Sequence, residues 1–355
     1  MRRRLTGGLT RDMPSKAATR IADVARLVGV STATVSRALT HPLKVSVATR
    51  TRVLDAVRAT GYTPDVTAQS LRTRRTMMVL VIVPDIANPF FSEVLRGVDE
   101  MLSAADYGLI IGNLGGSLEK EARFVDLAFS RQVDGVVLLS GRIPATPKGT
   151  MREAGVPLVA ACEVILDAGS DSDLTQIEVG NEDATRLAVD YLLALGHRRF
   201  GYISGPPANV LDVARRGGVM AALAACPDGH PLFVMQGDFS DASGSAAAVQ
   251  FLALKPALRP TAIQAANDEM AIGFMQTVQA AGMRIPRDVS VIGFDDIAFA
   301  KYYAPALTTV RQPRHLLGER AALALLAAMR GEAKSPSERL PTELCVRDST
   351  GPVRR

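Results

Sequence analysis

The chain has 355 residues, 47% apolar and 22% charged, with a net charge of +5. This balance suits a water-soluble globular protein long enough for a domain pair and a small extra domain. No apolar run reaches the roughly eighteen residues that a membrane-spanning helix needs. The charge is unevenly spread: residues 1 to 76 hold 15 basic and 4 acidic side chains, and the remainder 26 and 32. A basic head on an acidic body points to a polyanionic partner for the head, although a solvated charged tail would also be basic.

Three cysteines, Cys162, Cys226 and Cys345, stand far apart and share no ligand spacing with the four histidines. Neither a disulfide framework nor a metal site is expected, no cofactor is implied, and a reducing cytoplasm fits.

In chain order, MRRRLTGGLTRDMPSKA comes first. It is basic with no apolar core behind it. It reads as a disordered arm, or as residues ahead of a start at Met13, and not as a secretory signal. Ile21, Val24, Ala25 and Val28 then recur at helical spacing until Gly29 breaks the run. Ser31 can cap a second helix with Val35 and Leu39 facing inward. Ser46 can cap a third, with Val53, Leu54 and Val57 buried and Gly61 at its end. Helix, tight turn, helix and supporting helix make the helix-turn-helix plan.

The second of these helices, around VSTATVSRAL, is unusual in carrying small residues, hydroxyls and a single cation. A helix that enters the major groove needs a small exposed face. Thr32, Ala33 and Thr34 would reach base edges, and Arg37 could make a bidentate contact to guanine. Ser31, Thr34 and Ser36 are candidates for phosphate contacts. An ordinary amphipathic helix with its hydroxyls in water would show the same pattern.

After Tyr62-Thr63-Pro64, the stretch DVTAQSLRTRRT is short for a helix that stands alone in water. Leu71 beside Arg72, Arg74 and Arg75 suits a helix that forms on DNA and wedges an apolar side chain into the minor groove. A plain linker is the other reading.

From Thr76 the texture changes. MMVLVIVPD is a near-continuous apolar run, as in a strand buried on both faces. GLIIGN, DGVVLLS and PLVAACE alternate with helical stretches, and a second half from near Ile177 repeats the scheme with RRFGYISG, FVMQGDF, TAIQAAND and VSVIGFDD. This is a tandem of two parallel α/β units. Ligands of such sheets bind beyond the carboxyl ends of the strands. Those ends hold Asn88, Phe90, Glu163, Arg215, Phe239, Asn267 and Asp295, a set that offers ring faces and hydrogen bonds to a small polar ligand. Asp268 and Asp296 are expected simply to cap helices, and the phenylalanines could equally be core. His197 after Gly196 is placed to meet last-turn carbonyls. No GxSxG, Walker or HExxH motif is present, so no enzyme is expected.

The order of these pieces resembles the lactose-repressor (LacI/GalR) family of bacterial transcription regulators from about Arg20 to Thr350. The motifs that carry it are IADVARLVGVSTATVSRAL, KVSVATRTRV, GYTPDVTAQSL, VPDIANPFF, VDGVVLL, LGHRRFGYISGP, AANDEMAIG, VSVIGFDD and LTTVRQP. Within the family, STATVSRAL, RQVDGVVLLSGRIP and ELCVRDST lean toward the cytidine-repressor subgroup. Cys162 stands where many relatives carry Asp, with Glu163 one place later, which leaves a nucleoside or another sugar open as effector.

The resemblance implies a small all-α helix-turn-helix head and a periplasmic-binding-protein-like body of two Rossmann-like lobes. The expected bounds are a basic arm over 1–18, the helix-turn-helix domain over 19–64 and a hinge helix over 65–75. An effector-binding and dimerisation domain follows over 76–350, its first lobe 76–176 with 308–335 and its second 177–307 with 336–350. It further implies operator reading by Thr32, Ala33 and Arg37, a wedge at Leu71, and effector contacts from Phe90, Arg215, Phe239, Asn267 and Asp295. The expected function is repression of a catabolic operon by a homodimer on pseudo-palindromic double-stranded operator DNA. Effector binding would change the angle between the lobes. The competing expectations are a regulator that answers to a partner protein and a ligand-binding or sugar-modifying α/β protein.

Overall fold

The structure, a computed structural model, describes residues 19–63, 75–165, 174–226 and 232–353. The chain divides after Arg75 into a head and a body. The expected arm over 1–18 and nearly all of the expected hinge over 65–75, Leu71 and Arg72 included, lie outside the described residues.

The head contains helices α1 (Ile21–Val28), α2 (Thr32–Thr40) and α3 (Val47–Thr60). Gly29 ends α1 in the left-handed region, at φ 73°, and its N–H bonds back to the Ala25 carbonyl at 2.9 Å. Ser31 then caps α2 by accepting from the Thr34 N–H at 3.1 Å, and Ser46 caps α3 by accepting from Thr49 at 3.3 Å. Each cap satisfies an amide the helix itself leaves free. Val24, Ala25, Val28, Val35, Ala38, Val53 and Ala56 form the core. Leu54, expected inside, is exposed, and Ala56 and Val57 join Val53 instead. At 3.6 residues per turn, positions three and four ahead of Val53 share its face, and the next position does not.

The body holds two six-stranded sheets. The first lobe contains β1 (Met78–Val83), α4 (Phe90–Ala104), β2 (Gly108–Asn113), α5 (Leu118–Phe129), β3 (Gly135–Leu138), a two-stranded hairpin of β4 (Ala145–Thr146) and β5 (Gly149–Thr150), β6 (Leu158–Ala161) and β7 (Thr175–Val179). The second contains α6 (Asn181–Ala194), β8 (Phe200–Ser204), α7 (Val210–Ala224), β9 (Phe233–Gln236), α8 (Asp241–Ala253), β10 (Ala262–Ala265), α9 (Asp268–Ala280), β11 (Ser290–Asp295) and β12 (Thr308–Arg311). The chain then returns as α10 (Arg314–Met329), β13 (Glu338–Leu340) and β14 (Glu343–Cys345).

The first sheet runs β13-β7-β6-β3-β1-β2 and is wholly parallel. The second runs β14-β12-β11-β10-β8-β9, parallel except that β14 pairs antiparallel with β12. Helices cover both faces, which is why β1 is apolar throughout: Val79, Val81 and Val83 pack toward α4 and α10, while Leu80 and Ile82 pack toward Val125 and Ala128 of α5. Helices α4 and α10 cross closely at two glycines. A Cβ on Gly97 would lie 2.1 Å from the His315 carbonyl oxygen, and one on Gly318 2.0 Å from that of Val94.

Three strand assignments differ from the lobe bounds expected of the sequence. β7 belongs to the first sheet through Val179, β12 belongs to the second, and β13 returns to the first. The chain therefore passes between lobes near Gly180, near Gln312 and between Leu340 and Glu343. Short strands such as TTVR and ERL do not reveal their sheet locally, because pairing with partners distant in the chain decides it.

Candidate functional site

Both sheets reverse their strand order beside their first strand, β1 in one and β8 in the other, and the crevices outside these switch points are where ligands of such folds sit. A cleft of about 730 Å³ lies there, lined from both lobes. Asp85 and Asn88 shape the first lobe's rim after β1. Asp85 accepts from the Ala87 N–H at 3.0 Å and Asn88 from Phe90 at 2.8 Å, turning the chain into α4. Phe90 and Phe91 then pack edge to face at 5.1 Å.

Cys162 and Glu163 follow β6, Phe239 follows β9, and Asp295 ends β11. Cys162, Phe239 and Asp295 all adopt positive φ, at 72°, 74° and 125°. Such backbone is strained for side-chain-bearing residues and persists where the surroundings fix it. Asn267 provides one such restraint. Its amide nitrogen donates to the Phe239 carbonyl at 2.8 Å, and its oxygen caps α9 at the Met270 N–H, 3.0 Å away.

Arg215 is the cleft's one cation among the described residues, and it is buried. Nε donates to Asn181 Oδ1 at 2.9 Å, Nη1 to the Ala266 carbonyl at 2.6 Å, and the guanidinium carbon lies 3.8 Å from the centre of the Phe294 ring. Nη2 stands 3.8 Å from Asp295. Against this cation the cleft sets six carboxyl groups: Asp85, Glu163, Asp238, Asp241, Glu269 and Asp295.

Burial pushes the Asp295 carboxyl up despite the pull of Arg215 and a 2.7 Å bond from Gln312. Burial raises Glu163 as well, opposed by the Gly141 N–H that donates to it at 2.7 Å. Glu269 is raised to about 7 by burial and by the neighbouring carboxylates of Asp295, Asp241 and Asp85. Burial holds the Cys162 thiol well above its ordinary value, in its protonated form.

All seven expected ligand-contacting residues, Asn88, Phe90, Glu163, Arg215, Phe239, Asn267 and Asp295, line this cleft. Glu269 and Gln312 line it too; they lie within AANDEMAIG and LTTVRQP, but neither is among the contacts expected from the sequence. Asp268 and Asp296 do not cap helices as expected. Buried Asp268 accepts from Thr309 Oγ1 at 2.5 Å and from the Ile297 N–H at 2.9 Å, and Asp296 pairs with Arg311 at 2.7 Å and Arg347 at 2.5 Å. His197, too, turns from its own helix to Thr261 and the Gly351 carbonyl, each at 3.0 Å.

In the head, Thr32, Ala33 and Arg37 are exposed on α2, while Val35 and Ala38 face the core. Ser31 and Thr34 are partly committed, with their hydroxyls 2.9 Å apart, and Ser36 is half-buried. Arg37 Nε bonds its own helix at the Ala33 carbonyl, 3.3 Å away, and the side chain forms no ion pair among the described residues. No described helix is long and apolar enough to cross a membrane, and no described cluster of His, Cys, Asp and Glu could hold a metal ion.

Residues 20–65 match the family of bacterial regulatory proteins, lacI family, and residues 189–350 match a periplasmic binding protein-like domain. The chain is 38% identical to the HTH-type transcriptional repressor CytR of Escherichia coli strain K12 over 92% of its own length and 95% of that protein. The chain belongs to the lacI family. The HTH-type transcriptional repressor PurR of Photobacterium profundum is 36% identical over 85% of this chain and 89% of that one. Among lacI-family structures, the lac repressor dimer bound to operator and the anti-inducer ONPF superposes with a TM-score of 0.81 at 28% identity, over 94% of this chain and 99% of that one. This member of the lacI family is thus a DNA-binding transcriptional repressor under small-molecule control, and the leaning toward the cytidine-repressor subgroup agrees with the likeness to CytR.

Proposed function

We propose that this repressor binds a pseudo-palindromic operator as a homodimer and that its cleft holds an uncharged, ring-bearing, hydroxylated effector, a nucleoside or a sugar. Thr32, Ala33 and Arg37 read bases, Ser31, Thr34 and Ser36 contact phosphates, and Leu71 with Arg72 acts at the operator centre. Asn88, Phe90, Glu163, Arg215, Phe239, Asn267 and Asp295 contact the effector. The cleft's charge carries the effector's class. Six carboxyl groups against one guanidinium offer acceptors to hydroxyl and amino donors and repel a phosphate. The phenylalanines supply faces for a ring. A catabolic operon is the expected target, the chain catalyses no reaction, and it works in the cytoplasm.

A thermal-shift series on the intact protein tests this reading, with nucleosides, pentoses and hexoses set against their phosphorylated forms. A ligand at a hundred times its dissociation constant adds about 2.7 kcal/mol to native stability. A nucleoside or sugar that stabilises the protein, with its phosphate ester inert, is the expected result. Preference for the ester refutes the charge argument. No stabilisation by any compound transfers control to a partner protein.

A further inference from the structure

The loop after β3 carries Gly141 to the edge of the cleft, where the first lobe meets the start of helix α7 of the second. Gly141 donates its N–H to Glu163 Oε2 at 2.7 Å. A methyl group placed on Gly141 would lie 2.8 Å from Cγ2 of Val210 and 2.7 Å from the same Glu163 oxygen. Ordinary carbon–carbon contact is about 3.5–4.0 Å, so a side chain here would have to displace the Val210 methyl and the Glu163 carboxylate. Backbone conformation does not explain the glycine, because its φ lies outside the left-handed region.

The loop has little room to retreat. Arg142, the next residue, makes a two-pronged pair with Glu121, with Nη1 to Oε1 at 2.7 Å, and Glu121 is only 3% exposed. The Ala145 N–H donates to the same carboxylate at 3.2 Å, and the Ser140 hydroxyl donates to the Arg142 carbonyl at 3.3 Å. Val210, on the other side, opens the helix that carries Arg215 into the cleft, and Asn209 caps that helix with bonds of 2.9 and 3.2 Å. Both partners of the contact are therefore fixed to the framework of their own lobe.

We infer that Gly141 is a positioning residue for the effector response: its bare Cα sets how far the lobes close at Val210, while its N–H aims Glu163 into the cleft. This rests on the reading of the cleft as the effector site. Any side chain at 141 would hold this edge of the cleft open and turn the Glu163 carboxylate away. The contact is a stop for lobe closure, and Glu163 joins it to whatever the cleft holds.

The test is Gly141→Ala, Val210→Ala and the double variant in the full-length protein. Spin labels at Leu118→Cys and Leu258→Cys, both exposed, report lobe separation in spin-diluted protein with Cys226, the one cysteine not buried, changed to serine. Gly141→Ala should lengthen the interlobe distance and weaken the effector identified by thermal shift about tenfold or more, as overpacking of a closed state does. Val210→Ala in the same chain should restore the distance, while affinity returns only in part because the added methyl still displaces Glu163. Unchanged distances in Gly141→Ala, or a failure of Val210→Ala to restore them, overturns the inference. The distance measurement needs no effector, so a cleft that binds nothing small defeats the functional reading and the effector role, while the closure stop at Val210 is still tested by the distances alone. Should Gly141→Ala fail to fold, Val210→Met presses on the contact from the second lobe and must produce the same displacement.

Discussion

The Asn267 side chain donates to the Phe239 carbonyl across 2.8 Å, and Phe239 is held at a φ of 74° beside it. One amide thus serves two purposes, since its oxygen also caps α9. Asn267→Ala should lose about 1 kcal/mol of stability through the cap. It should weaken effector binding by more than the loss of one hydrogen bond, because the Phe239 ring would no longer be fixed. Calorimetric titration of the variant against Phe239→Ala checks this: the two losses should overlap and not add.

Arg215 is buried with Asn181, Ala266, Phe294 and Asp295 around it. Arg215→Ala would leave the Asp295 carboxylate without its cation, and breaking one side of a buried pair costs about 3–5 kcal/mol. Urea unfolding should show a loss of that size. Arg215→Lys should recover only part of it, because a point charge cannot reproduce two directed bonds and a stacked plane.

Glu269 gives the body a pH dependence of definite sign. Its carboxyl sits near 7 in the folded protein, against 4.5 ordinarily. Between those values the folded protein keeps a proton that the unfolded chain has released, so this group's contribution falls as pH rises through the window and stays unfavourable above it. Glu269→Gln should therefore melt at a higher temperature than the parent above the window, with the gain fading as the pH is lowered through it. Equal gains at both ends would mean that charge is not the cause.

Arg37 projects from the exposed face of α2 without an ion-pair partner among the described residues. Arg37→Ala should cost about 1–3 kcal/mol on the operator and relax base preference at one position of each half-site. Binding measured across a panel of single-base operator variants distinguishes this from a phosphate contact, whose loss would weaken all sequences alike.

Much of this architecture is written in local signals. Strand β1 announces itself because both its faces are covered, and the helices of the head announce their starts through Ser31 and Ser46. The seven cleft residues were legible because the fold collects strand ends in one place. Other features depend on contacts that the sequence does not display. Leu54 looks like core by size, yet helical phase gives that place to Ala56. The sheet to which β12 and β13 belong is decided by their pairing partners and not by their own residues. Glu269 and Gln312 look like surface residues until two lobes enclose them, and Asp268 looks like a helix cap until Thr309 and Ile297 arrive from farther along the chain.

The repeated passage of the chain between lobes has a consequence for synthesis. The first sheet lacks its β13 edge, and the second its β14 edge, until residues 338–345 have left the ribosome. Strands β7 and β12 are left with one side unpaired for that time, a state open to wrong partners. The head needs only local contacts and can fold early, whereas both lobes finish together and late. A stop codon just ahead of Glu338 would therefore damage both halves of the body at once, although only a short tail of the chain would be missing.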